Sequence, residues 1–311
     1  MNSTLPLIKI LLSTFNGEQY LPQLLDSILT QTYTNFQVFI RDDNSLDSTK
    51  DIIRKYHSKY PDKIIILEFS KENSGHTKSF ALLLEAVHGE YIAFCDQDDI
   101  WVQDKLEHQM FELKALENEI GNQIPILVHS DLKVCDHNMN PVSDSMWKYQ
   151  KILPDQIKEI RYLLVQNFVT GCTILINRAL ADIVVPTPKQ AVMFDWWVAL
   201  LALEQGEIIS IQKPLVMYRQ HMKNAVGAKK WGLAYLISMA AGKNIKWRTT
   251  LKNTVFQAKA LEKYANNEDR GIICQYGMFD KMGWVKRKIL YWRIGIKKYG
   301  WLRQITAWLF I

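Results

Sequence analysis

Three carboxylates, Asp96, Asp98 and Asp99, follow the apolar run Tyr91-Ile92-Ala93-Phe94-Cys95. A run of that kind reads as a buried strand that ends by delivering its acids to one edge of a sheet. Such a cluster repels itself unless positive charge sits on it. Hard oxygen ligands suit Mg²⁺ or Mn²⁺, and Mg²⁺ is usually held by one or two carboxylates together with substrate phosphates. The cluster therefore suggests a divalent cation shared with a phosphorylated ligand. The same residues also read as an acidic loop in which Asp99 caps a helix from Ile100 to about Leu116.

The elements that would position these acids alternate along the first half of the chain. Ile8 to Leu12 is a strand candidate, followed by the polar turn Ser13-Thr14-Phe15-Asn16-Gly17 and a helix from about Glu18 to Gln31. Gln37 to Ile40 is a second strand, ending at Arg41-Asp42-Asp43-Asn44-Ser45, and Asp47-Ser48-Thr49 starts the next helix. Ile64 to Phe69 is a third strand; Asn73-Ser74-Gly75-His76-Thr77 leads into a helix through Val87, and Tyr91 to Cys95 is the fourth strand. This alternation predicts an α/β fold, a Rossmann-like and mostly parallel sheet flanked by helices. Ligands of such sheets bind outside the carboxyl ends of the strands. Four polar clusters, Thr14–Asn16, Asp42–Asp43, Asn73–Gly75 and Asp96–Asp98, are thus expected to face one crevice, which suits a nucleotide and its phosphates. Farther on, Ile126 to Asp131 and Val169 to Ile176 read as strands, Asp195-Trp196-Trp197 as the opening of an apolar helix to about Leu203, and Pro214 to His221 as a last strand.

The chain has 311 residues, 48% hydrophobic and 23% charged, a globular composition that excludes a largely disordered protein. Its four cysteines form no CxxC pair, which argues against a zinc site or disulfide framework and fits a reducing compartment. We see no secretory signal, and no run reaches the ~18 apolar residues of a membrane span. The net charge of +6 hides an asymmetry: after His221 there are 18 Lys and Arg against 4 Asp and Glu, with six of the ten tryptophans. Two parts are therefore expected, a catalytic domain over 1–225 and a basic, Trp-rich helical extension over 226–311.

The motifs resemble those of the family 2 glycosyltransferases with the A-type nucleotide-sugar fold, and most closely bacterial rhamnosyltransferases of cell-surface polysaccharide synthesis. The residues that carry the resemblance run in order from Leu12-Ser13-Thr14-Phe15-Asn16-Gly17-Glu18 through Arg41 to Thr49, Asn73-Ser74-Gly75, Asp96 to Trp101, Thr170-Gly171-Cys172-Thr173 and Asp195-Trp196-Trp197 to Tyr218-Arg219-Gln220-His221. Each is short; seven in order are specific.

The resemblance implies an inverting transfer, in which an acceptor hydroxyl attacks the anomeric carbon while a nucleoside diphosphate leaves. Such a reaction needs a base on the acceptor and positive charge on the leaving group. It implies Asp98 and His221 as ligands of Mg²⁺ or Mn²⁺, with Asp96 toward the ribose or behind the metal and Arg219 as a second cation. Thr14, Asn16, Glu18, Asp43, Asn73 and Gly75 would hold a dTDP- or UDP-type donor, Asp43 by accepting from a pyrimidine N–H. Asp195 is the candidate base, although relatives often carry Glu-Asp where this chain has Phe194-Asp195. Asp131, Thr170, Gly171 and Trp196 would line the acceptor side. Several of these residues also have plainer readings: Asp131 as a turn residue, Asp195 as a helix cap and Trp196 as core.

The extension admits three roles: a membrane-surface face, a nucleic-acid face, or helices packed on the catalytic part with a solvated basic side. The membrane role ranks first, because a polysaccharide acceptor would be lipid-linked. The expectation is a peripheral enzyme on the cytoplasmic face of the plasma membrane with dTDP-L-rhamnose as first donor and no nucleic-acid partner. The alternatives are a non-catalytic nucleotide-sugar-binding scaffold and a nucleotidyltransferase. The latter wants a basic glycine-rich loop that Ser13 to Gly17 does not supply.

Overall fold

Ile8, Ile10 and Leu12 of the first strand point into one core and Leu11 into another, and that alternation sets the two sides of the fold. The computed structural model describes residues 5–156, 158–189, 191–221 and 244–310. Its first half runs β1 (Ile8–Thr14), α1 (Leu21–Leu29), β2 (Phe36–Asp42), α2 (Thr49–Lys59), β3 (Ile64–Phe69), α3 (His76–Ala86) and β4 (Tyr91–Asp96). Then come β5 (Ile100–Trp101), α4 (Lys105–Ile120), β6 (Ile126–Cys135), β7 (Pro141–Ser143), α5 (Met146–Gln150), α6 (Ile160–Leu163), β8 (Leu175–Asn177), α7 (Arg178–Val184), α8 (Phe194–Gln205) and β9 (Glu207–Arg219). Four further helices follow, α9 (Asn244–Leu261), α10 (Arg270–Gly277), α11 (Trp284–Arg293) and α12 (Trp301–Phe310).

The nine strands form one sheet in the order β3-β2-β1-β4-β8-β6-β9-β5, with β7 beside β6. The first four are parallel, as the alternation predicts, and their register sets Thr14 opposite Asp42 and Ser13 opposite Asp96. The polar strand ends therefore lie level. Beyond β4 the sheet is mixed: β8 runs antiparallel to β4 and β6, β9 is parallel to β6, and β5 is antiparallel to β9. Leu21, Leu24, Leu25 and Ile28 of α1 join Leu106, Met110 and Leu113 of α4 in the core on one side. Phe80, Leu83 and Leu84 of α3 join most of α8 on the other. A sheet with a parallel first half and helices packed on both sides is thus observed, as the alternation implies.

Three expectations change. Asp99 does not cap a helix: Ile100 and Trp101 pair with Met217 and Val216 as a two-residue strand, and Asp104 takes the position before α4. Val169 to Ile176 is not one strand. Thr173 N–H donates to the Thr170 carbonyl, a 3₁₀ turn forms over Gly171–Thr173, and only Leu175–Asn177 enter the sheet. Asp195 lies in the first turn of α8, whose cap position belongs to Met193.

The basic extension shares the catalytic core where it is described. Val255, Ala258 and Leu261 of α9 and Ile273 and Tyr276 of α10 belong to the same buried cluster as Trp197, Val198 and Leu201 of α8. The expected boundary near residue 225 and the apolar run Trp231 to Gly242 lie outside the described residues. Among the described residues no helix is long and apolar enough to cross a membrane.

Gly206 closes α8 where the chain reverses into β9, and a Cβ there would lie 1.8 Å from the Pro125 carbonyl oxygen. The carbonyl is backbone, so it does not yield easily. Gly206→Ala should lower unfolding free energy by about 3 kcal/mol in urea titration, the upper end of overpacking costs. An unchanged midpoint would show that the start of β6 moves freely.

Candidate functional site

The loops after β1 and β2 are laced together by backbone donors and short polar side chains. Thr14 Oγ1 donates to Asp42 Oδ2 at 2.8 Å, Asn16 N–H to Ser45 Oγ at 2.8 Å, and Leu46 N–H to Asn16 Oδ1 at 2.9 Å. Glu18 Oε2 accepts from Ser48 N–H at 2.9 Å. Asn16 and Asn44 adopt φ of 48° and 69°, a left-handed conformation that asparagine tolerates better than most residues. Thr14 is fully buried, so its side chain fixes the strand end and does not face the crevice. That corrects its expected contact with the donor.

Asp43 ties the third cluster to the second. Its carboxylate accepts from Arg41 Nη1 at 2.7 Å, Ser74 N–H at 2.9 Å and Gly75 N–H at 2.8 Å. Those donors occupy the acceptor positions expected to meet a pyrimidine N–H. Asn73 Oδ1 also accepts from Gly75 N–H, at 3.0 Å, and Gly75 has φ +80°, which a side chain would strain. In this structure Asp43 and Asn73 shape the loop before α3.

The acidic segment is held by what lies around it. Gln97 pairs with the backbone of Phe15, donating at 2.8 Å and accepting at 2.9 Å. Asp98 Oδ2 lies 2.8 Å from His221 Nε2, and the imidazole stacks on Tyr20 with centroids 4.9 Å apart. Asp96 Oδ1 lies 3.2 Å from His76 Nε2. Arg219 is buried. Its Nε donates to the Asp98 carbonyl at 2.9 Å, its Nη1 to the His137 carbonyl at 2.9 Å and its Nη2 to Gln23, while its N–H donates to Asp99 Oδ1 at 3.1 Å. Arg219 was expected to offer its charge to a leaving group; here it clamps the loop from beneath, with Tyr20 across its guanidinium face at 4.5 Å.

The acidic segment and its neighbours offer ligand atoms for a divalent cation. Burial and then the neighbouring Asp96 raise the pKa of Asp98; burial, Asp98 and Asp96 push that of Asp99 well up. Burial and like charge thus disfavour these carboxylates as anions, and a cation beside them would favour their ionised forms. Asp98 with His221 supplies a carboxylate and an imidazole, donors that accept Mg²⁺ or Mn²⁺, and both remain partly open to the crevice. Ligand atoms of Asp96, Asp99 and Cys172 also gather within 4.8 Å. That trio suits a hard cation less well: Asp99 and Cys172 are fully buried, and burial pushes the Cys172 thiol well up, away from the thiolate a metal needs.

Asp195 lies within electrostatic reach of Asp96 and His76. Its Oδ2 accepts from Gly171 N–H at 3.1 Å, and its Oδ1 from Asn167 Nδ2 at 3.2 Å and Trp196 N–H at 2.6 Å. Burial lifts its pKa to about 6, against the opposing pull of His76 and of the N–H donors. A Cβ on Gly171 would stand 3.6 Å from the Asp195 Cβ, so the glycine keeps that approach open. Thr170 caps the same turn through its carbonyl. Two acceptor-side candidates do other work. Trp196 is core, its Nε1 donating to the Leu163 carbonyl at 2.6 Å. Asp131 is buried and caps α5, accepting from Ser145 Oγ, Met146 N–H at 3.1 Å and Trp147 N–H at 3.2 Å.

His76 was missed at the sequence level. It is the first residue of α3, exposed at the crevice mouth beside Asp96, with its ring edge-on to Phe80. Partial loss of solvent around the ring opposes its protonation but Asp96 outweighs it, so its pKa is raised. The signal was its place directly behind Gly75, at the end of a strand-end cluster.

Residues 9–184 match the family model described as glycosyl transferase family 2. The dTDP-rhamnosyl transferase RfbG of Shigella flexneri is 27% identical over 268 residues, covering 83% of this chain and 87% of that one. An uncharacterized glycosyltransferase of Rickettsia typhi, RT0329, is 29% identical over 178 residues, 56% of this chain; the match spans only about half of that relative, 51%. Among solved structures, Staphylococcus aureus TarS 1–349 in complex with UDP superposes with a TM-score of 0.55 at 18% identity, covering 92% of this chain and 89% of that one. The Pyrobaculum calidifontis mannosyltransferase PcManGT, in complex with GDP-Man and Mn²⁺, gives 0.50 at 14%, covering 94% and 86%. At such identities the structures share the fold alone.

If Asp98 and His221 hold the cation, Asp98→Asn and His221→Ala should each weaken Mn²⁺ binding at least about tenfold in calorimetry without nucleotide. Asp195→Asn should leave it unchanged. Wild-type Mn²⁺ affinity in both ligand variants would remove the assignment.

Proposed function

We propose that this chain, which belongs to glycosyl transferase family 2, transfers a sugar from a nucleotide-sugar donor to an acceptor hydroxyl with inversion, using Asp195 as base. The carrying observation is one buried carboxylate, its pKa raised to about 6, within electrostatic reach of Asp96 of the acidic strand end and of His76. Asp195 Oδ1 holds two N–H donors, whereas Oδ2 accepts only from Gly171 among the bonds described, which leaves a lone pair for the acceptor's proton. Asn167 and Gly171 fix the carboxylate's plane, and His76 faces it with positive charge that favours the ionised form. On the donor side, a divalent cation held by Asp98 and His221 would supply positive charge to the departing diphosphate. Arg219 and Gln97 keep that loop against the turn after β1. Asp96 and His76 together line the gap between the two halves.

The donor we favour is a dTDP- or UDP-sugar, first dTDP-L-rhamnose, a reading supported by the motif resemblance and by the printed activity of the Shigella relative. The acceptor would be a growing, lipid-linked cell-surface polysaccharide, met at the cytoplasmic face of the membrane. The putative teichuronic acid biosynthesis glycosyltransferase TuaG of Bacillus subtilis, 34% identical over 110 residues (35% of this chain and 43% of that one), supports a polysaccharide product.

Asp195→Asn should leave nucleotide-sugar binding intact and lower transfer by about 10²–10⁴-fold, the usual contribution of a positioned base. The base works ionised, so wild-type kcat/KM for the acceptor should fall about tenfold per pH unit below a break near 6 and lie level above it. Transfer within tenfold of wild type in the variant would place the base elsewhere.

A further inference from the structure

The last two helices bury one side and leave an aromatic side bare. Tyr291 of α11 and Ala307 of α12 are buried. Trp284, Val285, Ile289 and Trp292 of α11 are exposed at spacings that put them on one helical face with Lys288, and Trp301, Ile305 and Trp308 of α12 do the same. Trp292 is 81% and Trp301 71% exposed, far from the usual state of so large a ring. Lys288 joins the two faces: its Nζ stands 4.0 Å from the Trp284 ring centroid and 4.1 Å from that of Trp308. After Asp280 the chain holds eight Lys and Arg, four tryptophans and no carboxylate side chain.

We infer that this α11–α12 face docks on a lipid bilayer bearing anionic headgroups. The inference deepens the membrane part of the reading above and names the surface that makes the contact. Tryptophans and aliphatic side chains ringed by cations, on helices that lie flat against their own protein, match the interfacial layer of a bilayer. Anionic headgroups supply the negative charge that this stretch lacks. A second copy meeting the same face would set cations against cations. A nucleic acid would leave Val285, Ile289 and Ile305 without a stacking role.

The face is coupled to the acceptor side. Arg161 Nε donates to the Ile294 carbonyl at 3.1 Å, Lys297 N–H to the Arg161 carbonyl at 3.0 Å, and Tyr299 N–H to Gln166 Oε1 at 3.1 Å. The next residue, Asn167, donates to Asp195. A bilayer under α11 and α12 thus bears on a segment that also positions the proposed base.

The test is flotation of the full chain with phosphatidylcholine vesicles, with and without phosphatidylglycerol, in the absence of any nucleotide sugar. The wild type should float with the anionic vesicles only, its tryptophan emission should shift to the blue, and added salt should release it. Trp292→Ser with Trp301→Ser, and separately Lys286→Glu with Arg293→Glu, should each weaken binding at least about tenfold. These side chains are exposed, so urea midpoints should stay near wild type and show that the variants fold. Asp195→Asn should float like the wild type, which separates this result from any failure of the transfer reading. No flotation of the wild type, or full flotation of both double variants, overturns the inference. So do tail tryptophans already shielded from iodide without vesicles, which would mean that another part of the chain or a second copy covers the face. Binding to a single-stranded oligonucleotide in place of vesicles overturns it as well.

Discussion

Repulsion among carboxylates at one sheet edge is the constraint that the catalytic half is built around. Asp96, Asp98 and Asp99 arrive together at the end of β4, and burial of two of them raises their pKa. Like charges in a low-dielectric edge are costly unless donors or cations answer them. The protein answers with Arg219 at the end of β9, His221 just beyond it and His76 at the start of α3. β9 runs 13 residues to bring Arg219 to the loop, and its register against β6 shifts twice near Asp131 on the way. β5 is the two-residue rung that pins the acidic turn to β9. The parallel strands set the crevice's position, and these longer connections set its charge.

The opposite wall follows different physics. Nearly all of α8 is buried, so Asp195 sits at the start of an apolar helix where, among the described residues, a turn of backbone and Asn167 satisfy it. The same burial that raises its pKa makes it basic enough to take a proton near neutrality while remaining ionised there. Asn167 lies in the segment that the α11–α12 elbow grips, so the described extension and the wall that carries Asp195 form one packed body.

Much of this was legible in the residues. The strands β1 to β4 were plain because their apolar runs are short, bounded by polar turns and spaced by amphipathic helices. The crevice was plain because four strand ends carry polar clusters in register. What escaped depends on distant partners. Arg219 reads as a phosphate cation until the Asp98 and His137 carbonyls appear beside it. Asp131 reads as a strand-end ligand until the N–H groups of α5 close over it. Gly171 breaks an apolar run because Asp195, 24 positions later, draws on its N–H. The extension's composition suggested a separate unit, yet Val255 and Tyr276 complete the core around Trp197. Charge content alone does not tell which face of a helix is bare.

The central claim is that one crevice holds a nucleotide sugar through its diphosphate and a cation. Calorimetry with a panel of nucleotide sugars, in Mn²⁺ and in EDTA, tests it most directly. The account predicts that one dTDP- or UDP-sugar binds in Mn²⁺ and loses most of its affinity in EDTA. Equal affinity in both, or no binding of any donor by the folded protein, would contradict it.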